Sequence, residues 1–450
     1  MNDKQEAKFR ELTGQPVGHL VCKMAAPTII SMMVTACYNM VDTYFVGQLH
    51  SNSATGAVGV VFSLMAVIQA VGFFFGHGSG NYISRQLGRH ESGDAGKMAA
   101  TGVTLAFLAG CVILTLGQIF LTPLARLLGS TDTILPYARS YLRIILLGAP
   151  YMTASFVLNN QLRFQGSAAY GMVGIAAGAV LNVGLDPLLI FVLDMGVAGA
   201  ALATILSQFV GGAIPLVYFL RPNSSKLRLG RTSFHGRALL KACANGSSEF
   251  MTNISMSVVN MLYNWQLMRL MGSGGVAVYG VIMYVNFIFI AIFLGYSMGS
   301  APIVGYHYGA GNRTELRGLL RKSLCIITVM SVVLTAAALL LARPLSLIFV
   351  SKEPALLPVT IRAFSIYSLS FLMVGHNIYA SSFFTALNDG FISALISFAR
   401  TLVFQVAAVI VLPVLWGIDG VWAAVVAAET LALLLSAACL VGKRKKYGYA

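Results

Sequence analysis

The feature that most limits this chain is its succession of long, nearly uncharged apolar runs, each close to the ~20 residues needed to cross a bilayer as a helix. Cutting the sequence at charges and at Gly, Pro, Asn and Ser clusters gives twelve spans: 20–47, 54–83, 98–121, 138–160, 170–193, 197–220, 242–270, 275–302, 323–342, 360–386, 391–414 and 417–441. Continuous apolar runs of this length do not fit the short alternating strands of a membrane barrel. In lipid each backbone polar group must be satisfied within its own segment, so the spans are read as helices. Charged residues are 10% of the chain, against about 25% in soluble domains, which excludes soluble enzymes, disordered tails and nucleic-acid binding modules.

The net charge of +15 does not argue for nucleic acid. Assigned to alternate sides of the twelve spans, 22 Lys and Arg fall on one side and 7 on the other, with Arg400 inside a span. By the positive-inside rule the richer side is cytoplasmic. The expected layout is a cytoplasmic segment 1–19, an N-lobe 20–220, a basic cytoplasmic linker 221–241, a C-lobe 242–441 and a basic tail 442–450, in a plasma (inner) membrane with both termini inside. The start of the chain does not read as a cleavable signal, because charges continue to Lys23.

The halves echo one another. Gly78 and Gly88 recur as Gly299 and Gly309 at an offset of 221, and Gly196-Val-Ala-Gly199 recurs as Gly417-Ile-Asp-Gly420 at the same offset. Six spans per copy keep both copies in one orientation, related by an axis along the membrane normal. The expected fold is therefore all-α and polytopic, with two pseudo-symmetric six-helix lobes around a central cavity.

Among fifteen acids only Asp42, Asp186, Glu249 and Glu429 lie clearly within spans. A carboxylate there costs on the order of 3 kcal/mol, so each is a functional candidate. Asn182 and Asp186 share a helical face, as do Tyr38, Asn39 and Asp42, and Pro187 opens the backbone ladder just after Asp186. Two carboxylates on opposed helices favour uptake of a proton or small cation, since like charges held together cannot both stay ionised unshielded. Glu249 heads a polar stripe with Asn253, Asn260 and Asn264, expected to face the cavity as a substrate or second-ion site, with Met256 and Tyr38 among adaptable lining groups. Glu429 is expected to have a packing or interhelical hydrogen-bond role, Arg400 to cap or pair at an interface, and His77, His307 and His376 to be ordinary hydrogen-bonded histidines. Six cysteines without CxxC or Cys/His spacing argue against disulfides and structural metal. No phosphate loop or hydrolytic motif occurs, so neither ATP hydrolysis nor an enzyme is expected, and no cofactor.

The stretch PTIISMMVTACYNMVDTYFVG at 27–47 resembles the first helix of the multidrug and toxic compound extrusion (MATE) transporters of prokaryotes. LNNQLRFQGSA (158–168), LNVGLDPLLI (181–190), GVAGAALATILSQ (196–208) and GIDGVWAAVVAAE (417–429) extend the resemblance over nearly the whole chain. It implies a twelve-helix monomer that exports amphipathic, often cationic drugs across the lipid bilayer in exchange for H+ or Na+. By motif position the family's cation site falls on Asp42, Asn182, Asp186 and Thr204, and its bending proline on Pro27. Glu249 resembles a seventh-helix glutamate of some branches, whereas 367–384 lacks the tenth-helix acid that others carry. A lipid-linked oligosaccharide flippase is the alternative. It would need cavity arginines for a pyrophosphate, and Arg400, Arg139 and Arg143 facing one cavity would favour it.

Overall fold

The computed structural model describes residues 16–49, 52–221, 227, 229, 232, 236–350 and 355–449, all helix and connecting turns with no strand among them. In the first half the spans are α1 (Val17–Gly47), α2 (Asn52–Gly88), α3 (Ser92–Ile119), α4 (Leu135–Phe164), α5 (Ala168–Val192) and α6 (Gly196–Leu220). The second half holds α7 (Gly236–Met271), α8 (Ser273–Gly309), α9 (Arg313–Val350), α10 (Leu356–Ser368 with Phe371–Ala386), α11 (Gly390–Trp416) and α12 (Ile418–Tyr447). A two-turn helix, Leu121–Leu127, joins α3 to α4. Among the described residues ten helices are long and apolar enough to cross a membrane, or eleven when the halves of α10, bent by 41°, count as one. The remaining helix, α7, is the one that carries the polar stripe.

Several helices overrun the spans read from sequence. The run 323–342 lies within α9, and α7 begins at Gly236, inside the expected linker. Charges mark where the apolar stretch stops, but the backbone ladder continues past them unbroken. Arg163, expected in a loop, is accordingly the penultimate residue of α4 and is buried. Residues 1–15 and most of the basic linker lie outside the described residues.

The two lobes meet through α1 against α8, α2 against α7 and α2 against α8. Their contact is a seam of glycines on backbone. A Cβ on Gly88 would lie 2.5 Å from the Tyr306 carbonyl oxygen, and one on Gly309 2.4 Å from that of Arg85. Tyr306 follows Arg85 by the same 221 residues that separate Gly309 from Gly88, so this is one contact made twice about a pseudo-two-fold axis. Gly78 and Gly299, the other pair singled out in the sequence, sit in the same seam against Ala242 and Ala25. Small residues let backbones approach, and the resulting close packing takes the place of a hydrophobic driving force that lipid does not supply.

All of these residues belong to the start of α1 and α7 or the end of α2 and α8, so the bundle is sealed at the end where the basic loops lie. Leu20, Val21, Met24 and Ala25 of α1 pack into a core cluster with C-lobe residues, while Val46, near the helix's other end, packs in the N-lobe. Large apolar side chains such as Leu116, Ile119, Val332, Leu340 and Val414 are left exposed on the outside, as a lipid-facing surface requires.

Candidate functional site

Beyond the seam, each lobe contains a hollow. In the N-lobe two adjoining spaces of about 670 and 720 Å³ share Thr35, Tyr38, Gln69, Phe156 and Thr204 as walls. Asp42 lines one and Asn182 the other.

Helical spacing explains how these groups come together. Tyr38 and Asp42 are one turn apart on α1, and Asn182 and Asp186 one turn apart on α5, with the Asn182 amide 3.5 Å from Asp186 Oδ1. Pro187 has no N–H to give, and the helix widens directly after it into a π turn, Leu188–Val192. Gly199 lets α6 lie on that turn, since a Cβ there would be 2.7 Å from the Leu189 carbonyl. This places Thr204, one turn further along α6, beside the hollow, its hydroxyl donating to the Ala200 carbonyl at 3.0 Å. Buried Tyr141 of α4 faces both Asp42 and Thr204, and Gln208 donates to the Tyr38 hydroxyl at 3.1 Å.

Asp186 and Asn182 are fully buried, and Asp42 and Asp186 lie close enough to repel one another. Asp42 Oδ1, Asn182 Oδ1 and Asp186 Oδ2 are all buried without a hydrogen-bond partner among the described residues. Leaving such oxygens unmet costs about 1–3 kcal/mol each, and more when ionised. An arrangement of this kind can hold a proton on a carboxyl group or a hard cation, for which oxygens are the favoured ligands. Among the described residues no cluster of three or more His, Cys, Asp or Glu could hold a metal ion.

The structure thus brings Tyr38, Asp42, Asn182, Asp186 and Thr204 together. The Asn39 side chain lies outside the described residues. Pro27 stands within α1, which runs through it without a break. The α7 stripe divides: Met256 and Asn260 line a C-lobe hollow of about 750 Å³, whereas Glu249 points at the seam, its Oε1 3.8 Å from Nδ1 of His77 on α2. Asn253 donates back to the Glu249 carbonyl at 2.8 Å, and Asn264 is exposed. A repeat of four and seven puts residues on one face of an isolated helix, but α7 passes from the seam to the hollow along its length and meets different neighbours.

Sequence reading understated the C-lobe cluster. Glu429 Oε1 accepts from Arg400 Nε at 2.8 Å, and Glu429 Oε2 from Asn377 at 2.8 Å. Asn377 in turn accepts from Ser436 at 3.0 Å. Arg163 reaches across the seam to the Met298 sulfur at 3.3 Å. Of the histidines, His376 bonds Thr328 at 2.9 Å, while both buried ring nitrogens of His307 lack a hydrogen-bond partner among the described residues. Arg139 and Arg143 are exposed on α4, so only Arg400 of the three arginines lines a hollow.

Fold and hollows together define an internally duplicated, multi-pass membrane protein of two six-helix lobes. The MatE family model matches it twice, at residues 27–188 and 250–411, one match in each half and together well over half its length. The chain belongs to that family. It is 25% identical to the multidrug export protein MepA of Staphylococcus haemolyticus over 437 residues, 97% of this chain and 95% of that protein. It superimposes on a MATE crystallised in complex with MaL6 with a TM-score of 0.91 at 24% identity, covering 99% of each chain. A multidrug resistance MATE family transporter in an outward-facing conformation gives a TM-score of 0.90 at 25% identity over 97% of each.

Proposed function

We propose that this protein is a secondary active efflux antiporter of the plasma membrane. It exports amphipathic, mainly cationic organic compounds in exchange for H+ or Na+, with both termini cytoplasmic. The observation that carries this reading is the trio of unpartnered buried oxygens on Asp42, Asn182 and Asp186, of which Asp42 and Asn182 line two adjoining hollows beyond the seam at the end that bears the basic loops. The multidrug export activity named for MepA of Staphylococcus haemolyticus supports it.

With the basic end inside, the seam is a closed cytoplasmic gate and the hollows face outward. A proton or sodium ion arriving from outside settles between the two carboxylates and supplies the charge their burial lacks. The same ion competes with a cationic drug for that field, so loading the ion releases the drug outward. Emptying the site to the inside restores the acidic pair and with it the affinity for the next cation. A one-for-one exchange with a monovalent cation moves no net charge, so the ion's own concentration gradient drives export. Each tenfold of it supplies about 1.4 kcal/mol and so about a tenfold drug ratio.

The test is uptake of a fluorescent cation into inverted vesicles under a pH or a sodium gradient imposed separately. One of the two gradients should drive accumulation in the parent protein, and Asp186→Asn at equal membrane abundance should abolish it. Unchanged accumulation in that variant would refute the assignment of the coupling site.

A further inference from the structure

The two halves differ in charge at the end where the basic loops lie. Positions 313, 317, 321 and 322 on α9 and 443–446 at the end of α12 are all Lys or Arg. The eight residues 221 positions earlier, Ser92, Gly96, Ala100, Thr101 and PNSS at 222–225, carry no charge. The register holds here, because Leu316 and Leu319 of α9 are core residues just as Ala95 and Met98 of α3 are. Cations anywhere on this side satisfy the positive-inside rule, so orientation does not account for their gathering on one lobe. Nor does the helix itself. α3 starts after Glu91 and has Asp94 in its first turn, as the helix dipole favours, whereas α9 opens on Arg313 and carries Arg317 one turn on, where the dipole opposes a cation.

A tyrosine clasp holds the two basic runs side by side. The backbone turns at Gly448, with φ +69°, and Tyr447 and Tyr449 both fold into the core cluster of Leu316 and Leu319. A Cβ on Gly448 would lie 2.7 Å from Arg313 Cδ, so the chain beyond α12 rests on the first turn of α9. Tyr447 donates to Asp389 Oδ2, and the same oxygen is 3.5 Å from Lys446 Nζ, which also sits 4.9 Å over the Tyr447 ring. Asp389 is thereby occupied, and Glu315 is the one acid on α9. Arg317, Arg321, Lys322, Arg444 and Lys445 are exposed and make no ion pair or side-chain hydrogen bond among the described residues.

These cations stand at the ends of lipid-facing stripes. Arg321 shares a helical face with Cys325, Val332 and Leu339, and Lys445 shares one with Leu434 and Val441, all of them exposed. Where such apolar stripes meet acyl chains, the cations that end them lie at the layer of headgroup phosphates. Guanidinium forks match phosphate oxygens in pairs, and the unpaired N–H groups at a helix start add to the binding of an anion.

From this placement we propose that the basic face formed by the start of α9 and the end of α12 binds the headgroups of anionic phospholipids. The face lies outside both hollows and takes a lipid of the surrounding leaflet, not a transported compound. Through the clasp, bound lipid steadies the C-lobe side of the seam, since Tyr447 packs on Tyr308, the residue before Gly309.

The test uses the purified full-length protein in liposomes, with a bimane fluorophore on Cys325, one turn from Arg321, in a background retaining only that cysteine. Quenching by brominated phosphatidylglycerol against brominated phosphatidylcholine gives the relative affinity for the anionic headgroup at this spot. Each cation close to an anionic surface contributes about fivefold. The parent protein should therefore prefer phosphatidylglycerol by more than about tenfold, and Arg317→Gln/Arg321→Gln should lose at least about fivefold of that preference. Arg317→Lys/Arg321→Lys keeps the charges and should keep most of it. Lys97→Gln/Arg221→Gln removes two exposed cations from the same side of the N-lobe and should leave it unchanged. A parent ratio near one, or an equal loss in the N-lobe variant, overturns the proposal. So does a preference abolished by inorganic phosphate at matched ionic strength, which would put a soluble anion in the site.

Discussion

Closure of the lobes at the basic end depends on backbone lying on backbone, so a single methyl group placed there is a stringent perturbation. Gly246 of α7 is the tightest position. A Cβ on it would sit 1.9 Å from the Phe74 carbonyl oxygen of α2, where 3.0 Å is about the nearest approach such atoms make. The partner atom is main chain in mid-helix and has no rotamer to change, so about 1 Å of separation must come from moving α7 away from α2. Overpacking of this kind costs roughly 1–3 kcal/mol in the closed arrangement. An arrangement with the seam parted does not bear that cost. Gly246→Ala should therefore shift the closed-to-open ratio at this end by about 5- to 150-fold. Cys243, one turn before Gly246 and half-buried beside the Gly78 contact, is a native reporter. In a background retaining only that cysteine, maleimide labelling should accelerate severalfold in Gly246→Ala, while Gly59→Ala on α2, where a Cβ meets nothing within 4 Å, should label as the parent does. Export of a fluorescent cation should fall as labelling rises. Unchanged labelling and export in Gly246→Ala would refute the claim that this seam is the gate.

Removing one member of the Arg400–Glu429 pair leaves a charge largely out of water, so Glu429→Gln should lower stability by about 3–5 kcal/mol, with the double Gln variant recovering most of it; thermal unfolding in detergent measures both. Asn377→Ala removes the donor to Glu429 and the acceptor for Ser436 and should destabilise by about 1–3 kcal/mol in the same assay. Gly199→Ala pushes α6 off the π turn of α5 and should impair cation-driven uptake more than it lowers abundance, because it displaces Thr204 from the hollow. Asp389→Ala loses the cap on Ile392 N, a 3.3 Å bond, and the Lys446 contact at 3.5 Å, and should cost about 1 kcal/mol, read as earlier proteolysis near the C-terminal end of α12.

Much of this protein is local, and what is local was legible. Apolar runs of bilayer length must be helices because lipid offers the backbone no other partner. Asn182 and Asp186 share a face because a helix turns every 3.6 residues, and Pro187 opens the ladder because it lacks an N–H. The duplication, too, was written in the spacing of Gly78, Gly88, Gly299 and Gly309, and the contacts of Gly88 with Tyr306 and of Gly309 with Arg85 gave those pairs their purpose. Tertiary structure alone decided which distant groups meet. Glu249 lies on the polar stripe of α7 yet faces His77, because α7 leaves the C-lobe hollow and enters the seam before it reaches that turn. Arg163 could be placed in a loop from sequence because nothing local reports that α4 carries it inward to Met298. Arg400, Glu429 and Asn377 are far apart in the chain and on three helices, and a charge in a membrane takes whatever partner packing brings within about 3 Å. The chain's own order fixes its elements and faces, whereas partner choice is a property of the packed bundle, since electrostatic pairing depends on distances that sequence separation does not contain.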